Sequence, residues 1–316
     1  KLLCTMEDGK VINALTNSST QSCYLCKCNP KQMNVLDAMN DFELIHENLR
    51  FGLSTLHAWI RFLEFVLHVS YKLDIGKSTV RGLTEIQKTQ IQERKKNIQK
   101  RLWLEVGVKV DRVIQGKGTS NTGNVARKFF QHFEKVSEIT GFNKSILERF
   151  YVILTVIASG KVIEEDKFKK FAADTAKLYV DSYKWYPMTP TVHKVLVHGP
   201  IIIKYSLLPV GMLSEEAQES RNKDYVYLRE HHTRKTARMD TNADLMNALL
   251  VSSDPIIASK RNIKQKSRNP LSSTAKYLIA SSDDSESDDI ESESDTEEEL
   301  GDEDEDQENF SESSEC

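Results

Sequence analysis

Two pairs of residues with metal-ligand chemistry stand far apart in the sequence. Cys23 and Cys26 have the two-residue gap that lets two thiolates reach one tetrahedral Zn²⁺, and His193 and His198 have a gap seen in zinc-binding histidine pairs. Each pair alone is a weak signal, because an incidental Cys-x-x-Cys or a surface histidine pair is common. Together the four residues predict one structural zinc site, with Cys28 as a reserve ligand.

Such a site must close a long stretch of chain. The 166 residues between Cys26 and His193 add roughly 2–3 kcal/mol of closure entropy relative to a short zinc finger. Structural zinc supplies about 10–16 kcal/mol of binding free energy in small zinc fingers, which exceeds this additional closure cost. Residues five apart lie about 140° apart on a regular helix, so we expect His198 at a fraying helix end before Gly199-Pro200.

Further motifs occur in a fixed order along residues 1–240. Asp8-Gly9 is followed by the Cys23/Cys26 pair, then Gly-Asn-Val-Ala-Arg-Lys at 123–128, the histidine pair, and Glu-Ser-Arg-Asn-Lys at 219–223. Seen singly, Glu219 is one helical glutamate among many and Asp8-Gly9 could be a turn. In this order and spacing the motifs resemble the DDE-type DNA recombinases, the group of the Transib transposases and the V(D)J recombination-activating recombinase.

The resemblance implies a fold, a chemistry and partners. It implies a mixed α/β, mainly helical chain: a partial RNase H-like core interrupted by a zinc-stapled α-helical insertion. Asp8 and Glu219 would be two of the three carboxylates that hold two Mg²⁺ or Mn²⁺ ions for cleavage and transfer of double-stranded DNA. The first carboxylate is missing, and Glu7 points to the opposite face of a strand. We therefore expect the chain to be the C-terminal portion of a longer protein, a homodimer when full length, inactive alone and located in the nucleus.

DNA phosphate contacts are expected from the glycine-rich loop 116–123 and from the helices that carry the motifs at 123–128 and 219–223. Without the resemblance, this loop could equally be a plain flexible connection. The predicted DNA-binding residues are Thr119, Ser120, Asn124, Arg127, Lys128, Arg221 and Lys223.

Charge is distributed unevenly along the 316 residues. Residues 281–316 contain 19 Asp or Glu and no Lys or Arg, so the net charge of −4 becomes +15 without them. A basic body suits a polyanion such as DNA, although solvated lysine-rich helices give similar totals. The acidic tail should be disordered; it could bind histones or another basic protein, restrain the body until DNA displaces it, or only keep the chain in solution. No apolar run reaches the length of a membrane span, so no membrane association is expected.

The elements that must position these residues are mostly helices. Apolar residues recur at three- and four-residue intervals from Leu53 to Leu67, Thr84-x-x-Gln87 is a capping box, and similar stripes follow to residue 198. Ile201-Ile202-Ile203 predicts a strand, and a long helix is expected from about Ser214 to Arg238.

Five segments follow from these patterns. They are a partial RNase H-like core (1–22), a zinc-stapled helical insertion (23–200), a closing strand and catalytic helix (201–254), a basic linker or nuclear import signal (255–280), and the acidic tail (281–316). Two alternatives to a recombinase stay open: a domesticated, catalytically inactive DNA-binding protein, and a zinc-stapled helical adaptor whose acidic tail recruits basic partners.

Overall fold

The computed structural model describes residues 9–36, 43–114, 118–260 and 270–280, and within these ranges it describes Lys10, 217–220 and Ala258 by their backbone alone. These residues are mainly helical. The elements in chain order are α1 (Gly9–Leu15), a 3₁₀ turn (His46–Phe51), α2 (Thr55–Ser70), α3 (Glu85–Arg101), a first π-helical segment (Leu102–Val106), β1 (Val113–Ile114), β2 (Gly118–Thr119), α4 (Gly123–Gln131), α5 (Phe133–Thr140), α6 (Lys144–Ala158), α7 (Glu165–Tyr183), α8 (Pro190–His193), a second π-helical segment (Lys194–His198), α9 (Gly199–Tyr205), a 3₁₀ turn (Val210–Leu213), α10 (Glu216–His231), α11 (Arg238–Ser253), α12 (Pro255–Ser259) and α13 (Ser273–Leu278).

The core is organised around α2, which packs against α4, α6 and α8. Its apolar stripe is buried as the sequence predicts, because side chains three and four residues apart share one helix face. Aromatic rings fill the centre: Phe62 meets Phe150 of α6 at 4.9 Å between centroids, and Phe65 meets Tyr179 of α7 at 5.0 Å. Offset and edge-on ring pairs of this kind add roughly 0.5–1.5 kcal/mol each beyond their area burial.

Helix α3 begins at the predicted capping box. The Thr84 hydroxyl accepts from the Gln87 backbone N–H, and the Gln87 side chain accepts from the Thr84 N–H, so two N-terminal donors are satisfied. Arg94 on this helix is an internal connector, since its guanidinium donates to the Ser70 and Thr140 carbonyl oxygens and pairs with Asp74. One of the basic residues of α3 is therefore used to join this helix to the rest of the body.

Extended structure is scarce in the described part of the chain. The short antiparallel hairpin of β1 and β2 and an isolated bridge between Ile163 and Ile279 are the pairings seen there. The strand expected at 201–203 is wrong, because these isoleucines lie in α9. Pro200 stands in the first turn of this helix, where its fixed φ and missing N–H favour a helix start rather than an end. The RNase H-like core stays a prediction.

The helix expected from about Ser214 to Arg238 is two helices. α10 ends at His231, the chain turns, and α11 runs back beside it. Arg234 fixes the turn by donating to both Asp244 carboxylate oxygens at 2.9 Å. Among the described side chains of this helical hairpin only Leu245 is fully buried, so the hairpin is attached to the rest of the body mainly at its beginning.

The basic linker expected at 255–280 is shorter than predicted. Its last part folds as α13, which packs against α6 and α7 and buries Ala275 and Leu278. Backbone bonds of 3.0 Å from Glu164 N–H to Leu278 C=O and 2.9 Å from Ala280 N–H to Val162 C=O tie this segment to the body. The tail, one of two units into which the chain divides, lies outside the described residues, as do 1–8 and 261–269. Within the described ranges no helix is long and apolar enough to cross a membrane.

Candidate metal centre and the adjoining helix junction

The cysteine half of the predicted zinc site is a tight turn between α1 and the first 3₁₀ segment. The Cys23 N–H donates to the Cys28 carbonyl at 3.1 Å, and the Lys27 N–H donates to the Cys23 carbonyl at 2.7 Å. Lys27 adopts a positive φ of 57°, which the turn requires after Cys26. Its ammonium group holds the turn by donating to the Thr16 carbonyl at 2.5 Å and the Ser18 hydroxyl at 2.7 Å. This backbone aims both thiols of the Cys-x-x-Cys pair to one side.

The histidine half is positioned by a π-helical segment. His193 ends α8, and Lys194–His198 continues as a π-helix before α9 begins. A π-helix closes its hydrogen bonds at i+5, so residues five apart come onto one face. The expectation of a fraying helix end at His198 is therefore wrong: the helical path continues, and its wider turn brings the two rings together.

The two halves meet in the interior. Donor atoms of Cys23, Cys26, His193 and His198 all lie within 4.8 Å of one another, and all four residues are buried. Nε2 of His193 is 3.2 Å from Nε2 of His198 and 3.5 Å from Sγ of Cys26. Ligands around tetrahedral zinc are separated by about 3.3 Å for two nitrogens and about 3.6 Å for nitrogen and sulfur, from the usual bond lengths. The geometry fits a metal ion of the zinc type.

The surrounding chain fixes the two halves relative to each other. Asn34, just after the cysteine turn, accepts from the Met188 N–H at 2.9 Å and donates to the Tyr186 carbonyl at 3.0 Å. The Tyr24 hydroxyl donates to the Gly52 carbonyl at 3.1 Å. Gly199 allows α7 to approach closely, because a Cβ there would lie 3.0 Å from the Phe168 ring. The cluster is therefore part of the packed body.

Burial and the neighbouring sulfurs act in opposite directions on the pKa of His193. Burial lowers the pKa of His193, but the neighbouring Cys23 and Cys26 sulfurs more than offset it and raise the pKa above its ordinary value. Nδ1 of His193 is buried and has no hydrogen-bond partner in the part of the chain that is described. Two imidazoles and two thiols packed together away from water carry a desolvation cost that metal coordination offsets.

A second site of interest is the junction where the Glu219-bearing helix begins. The Ser54 hydroxyl at the start of α2 donates to the Glu215 carboxylate, and His57 Nδ1 lies 3.4 Å from another oxygen of that carboxylate. The Thr55 hydroxyl donates to the Ser214 hydroxyl at 3.2 Å. The start of α10 is thus held against the N-terminus of α2, a contact between residues about 160 apart that sequence patterns do not reveal.

The Gly-Asn-Val-Ala-Arg-Lys motif joins the same junction. Arg127 on α4 forms an ion pair with Glu216, and its guanidinium lies 5.7 Å from the centre of the Trp59 ring. Gly123 lies against α2 so closely that a Cβ there would be 2.5 Å from Leu56 Cδ1. The motif at 123–128 is therefore in direct contact with the first turn of α10, the helix that carries the motif at 219–223, and an alanine at position 123 would require Leu56 to shift.

The residues predicted to contact DNA have different surroundings. Thr119, Asn124, Lys128 and Lys223 are exposed. Ser120 is occupied within the β-hairpin, since its hydroxyl accepts from the Arg112 N–H at 3.1 Å.

The two arginines of this set are held by internal contacts. Arg127 is paired as described above, and Arg221 donates to the Leu249 carbonyl at 3.1 Å and to the Ser252 hydroxyl at 2.7 Å. Contact of these residues with DNA stays a prediction.

The predicted catalytic pair is only partly described. Asp8 lies outside the described residues, and Glu219 lies on α10, without a description of its side chain. Their convergence on one divalent-ion site stays a prediction. Neither the protein-family models nor the curated proteins compared with this chain include a match.

Proposed function

We propose that this chain is the zinc-stapled helical part and closing catalytic helix of a DDE-type DNA recombinase, acting on double-stranded DNA in the nucleus. The observation that carries the proposal is the buried cluster of Cys23, Cys26, His193 and His198. The resemblance to the Transib group implies that this cysteine pair and this histidine pair bind the same zinc ion. In this reading zinc has a structural role, and it closes the helical insertion at its two ends.

Contacts at the start of α10 support the same reading. If Glu219 is a catalytic carboxylate, its helix must be held in a fixed position relative to the insertion. The bonds from Ser54 to Glu215 and from Arg127 to Glu216 hold the first turn of that helix. Mg²⁺ or Mn²⁺ held by Asp8, Glu219 and the missing carboxylate would activate the attacking hydroxyl and stabilise the leaving oxygen.

The helical hairpin of α10 and α11 has an exposed apolar surface that the proposed RNase H-like core could cover. Tyr227, Met246 and Leu250 are each more than half exposed. A surface of this kind is typical of a region that packs against another protein segment. Here the proposed occupant is the RNase H-like sheet of the recombinase core.

DNA binding is the first property to test. The full chain should bind a duplex with an affinity that falls steeply with salt, because Lys and Arg contacts to phosphates release counterions. Replacing Lys128 and Lys223 with Gln should weaken binding and reduce the salt slope by about 1–2. The matched control replaces Lys144 and Lys204, which are paired with Glu134 and Glu165, and should leave the slope unchanged.

Catalysis is tested separately, with Mn²⁺ and a duplex substrate. A longer protein that supplies the missing Asp should nick DNA, and Glu219→Gln should abolish the activity while Glu230→Gln on the same helix should not. Nicking that persists in Glu219→Gln contradicts the catalytic assignment. DNA binding without nicking in the longer protein favours the inactive DNA-binding alternative, and absence of salt-dependent DNA binding contradicts the proposed function altogether.

A further inference from the structure

The cluster contains one thiol more than a tetrahedral zinc ion needs. Cys28 is 1% exposed, and its Sγ lies 3.3 Å from Nε2 of His193, slightly closer than Sγ of Cys26 at 3.5 Å. Cys28 therefore places a third sulfur beside His193, next to the four residues whose donor atoms lie within 4.8 Å of one another. Zinc in structural sites takes four ligands, so one of the sulfurs has no position in the first coordination shell.

The position of Cys28 is that of a ligand. Once His193 Nε2 coordinates a metal, its lone pair is no longer free to accept a hydrogen bond from a thiol. A sulfur 3.3 Å from that nitrogen then stands close to the separation of about 3.6 Å expected between two ligands of the same zinc ion. Cys26, Cys28 and His198 all satisfy this spacing around His193.

Cys23 and Cys28 face each other across the turn. The Cys23 N–H donates to the Cys28 carbonyl, which holds the two backbones side by side. Both side chains therefore start from neighbouring points of the backbone, on the same turn as Cys26. Both residues are 1% exposed, so water does not compete readily for the fourth position.

We propose that Cys23 and Cys28 are exchangeable ligands, so that zinc is held by Cys26, His193 and His198 together with either thiolate. This inference rests on the proposed zinc site. In the exchange one of the two sulfurs would coordinate as a thiolate while the other is a thiol, and the proton would pass from the incoming thiol to the sulfur that leaves the metal. Charge and zinc oxidation state stay constant, and no redox partner is needed.

The test measures zinc per chain in the purified full-length chain after dialysis against a weak chelator. Cys23→Ser and Cys28→Ser should each keep about one zinc ion per chain, because the other cysteine completes the tetrahedron. Cys26→Ser and the double variant Cys23→Ser/Cys28→Ser should each lose it. A variant that unfolds without zinc is scored by its zinc content, because metal binding and folding are coupled in such sites.

The outcomes separate the inference from the zinc site beneath it. Loss of zinc in Cys23→Ser with retention in Cys28→Ser shows a fixed set containing Cys23, and the reverse shows a fixed set containing Cys28; either result overturns the exchange. Loss in both single variants overturns it as well, since both sulfurs would then be needed together. Retention of zinc in the double variant and in Cys26→Ser overturns the zinc site itself. The wild type, Cys23→Ser and Cys28→Ser loaded with Co²⁺ give a second reading, because sulfur-to-cobalt absorption should show two thiolates in each of these three proteins.

Discussion

Gly123→Ala tests whether the close contact between α2 and α4 is as the structure places it. The added Cβ would lie 2.5 Å from Leu56 Cδ1, whereas non-bonded carbon atoms prefer about 3.5–4.0 Å. Leu56 is 4% exposed and packed in the core, so about 1 Å of movement must be absorbed by its neighbours. Overpacking of this kind costs about 1–3 kcal/mol, and the better helix propensity of Ala returns less than about 1 kcal/mol.

We therefore expect Gly123→Ala to lower the free energy of unfolding by about 1–2 kcal/mol. Urea denaturation monitored by circular dichroism measures the change. Gly9→Ala is the matched control, because a Cβ at that position has open space. In the double variant Gly123→Ala/Leu56→Ala the clash disappears, so the two substitutions should destabilise by at least about 1 kcal/mol less than their sum. A Gly123→Ala protein as stable as the control, with additive effects in the double variant, would refute the contact.

Three further predictions concern the zinc site and the helical hairpin. Removing zinc with a strong chelator should lower the melting temperature of the wild-type protein, measured by differential scanning fluorimetry, and should not lower that of the Cys26→Ser variant. An unchanged melting temperature of the wild type would contradict a structural zinc. The double variant Val197→His/His198→Val moves the second imidazole from five to four residues after His193, a spacing that suits a regular helix. It should abolish zinc binding, as measured by elemental analysis, and full retention of zinc would contradict the π-helical geometry. Hydrogen bonds from the Arg234 side chain and backbone lower the pKa of Asp244 to about 2 in the folded protein. The charged Asp244 should therefore stabilise the turn fully above the pKa of about 4 that Asp has in an unfolded chain, and this stabilisation should be lost as pH falls toward about 2. Asp244→Asn should accordingly speed amide exchange in the turn at pH 7, with Glu230→Gln as the control, and equal rates in both would contradict the role of this pair.

The sequence predicts the parts of the site that depend on residue type and local spacing. The four residues predicted to bind metal lie together, and the stripe of α2 and the capping box of α3 are found as expected, because ligand chemistry and helical periodicity are local properties. The π-helical segment is not predictable in this way, since periodicity arguments assume 3.6 residues per turn. The strand predicted at 201–203 is wrong because three consecutive isoleucines fit a buried strand and a buried helix equally well, and these residues lie in α9.

Long-range contacts account for the remaining differences. Arg127 pairs with Glu216 and Arg221 bonds to α11, so these two predicted DNA-binding residues have internal partners, and their contact with DNA stays a prediction. Burial of Leu278 against the body makes part of the expected linker a structural element. In each case the partner lies tens of residues away, beyond the reach of a local pattern.

X-ray absorption at the zinc edge of the purified full-length chain tests the central claim most directly, because it reports ligand type and number at the metal. We predict one zinc ion per chain with two sulfurs at about 2.3 Å and two nitrogens at about 2.0–2.1 Å, whichever of Cys23 and Cys28 is bound at a given moment. A zinc-free chain that is folded, or a coordination shell of oxygen and nitrogen without sulfur, would contradict the claim that zinc joins the cysteine turn to the π-helical histidines.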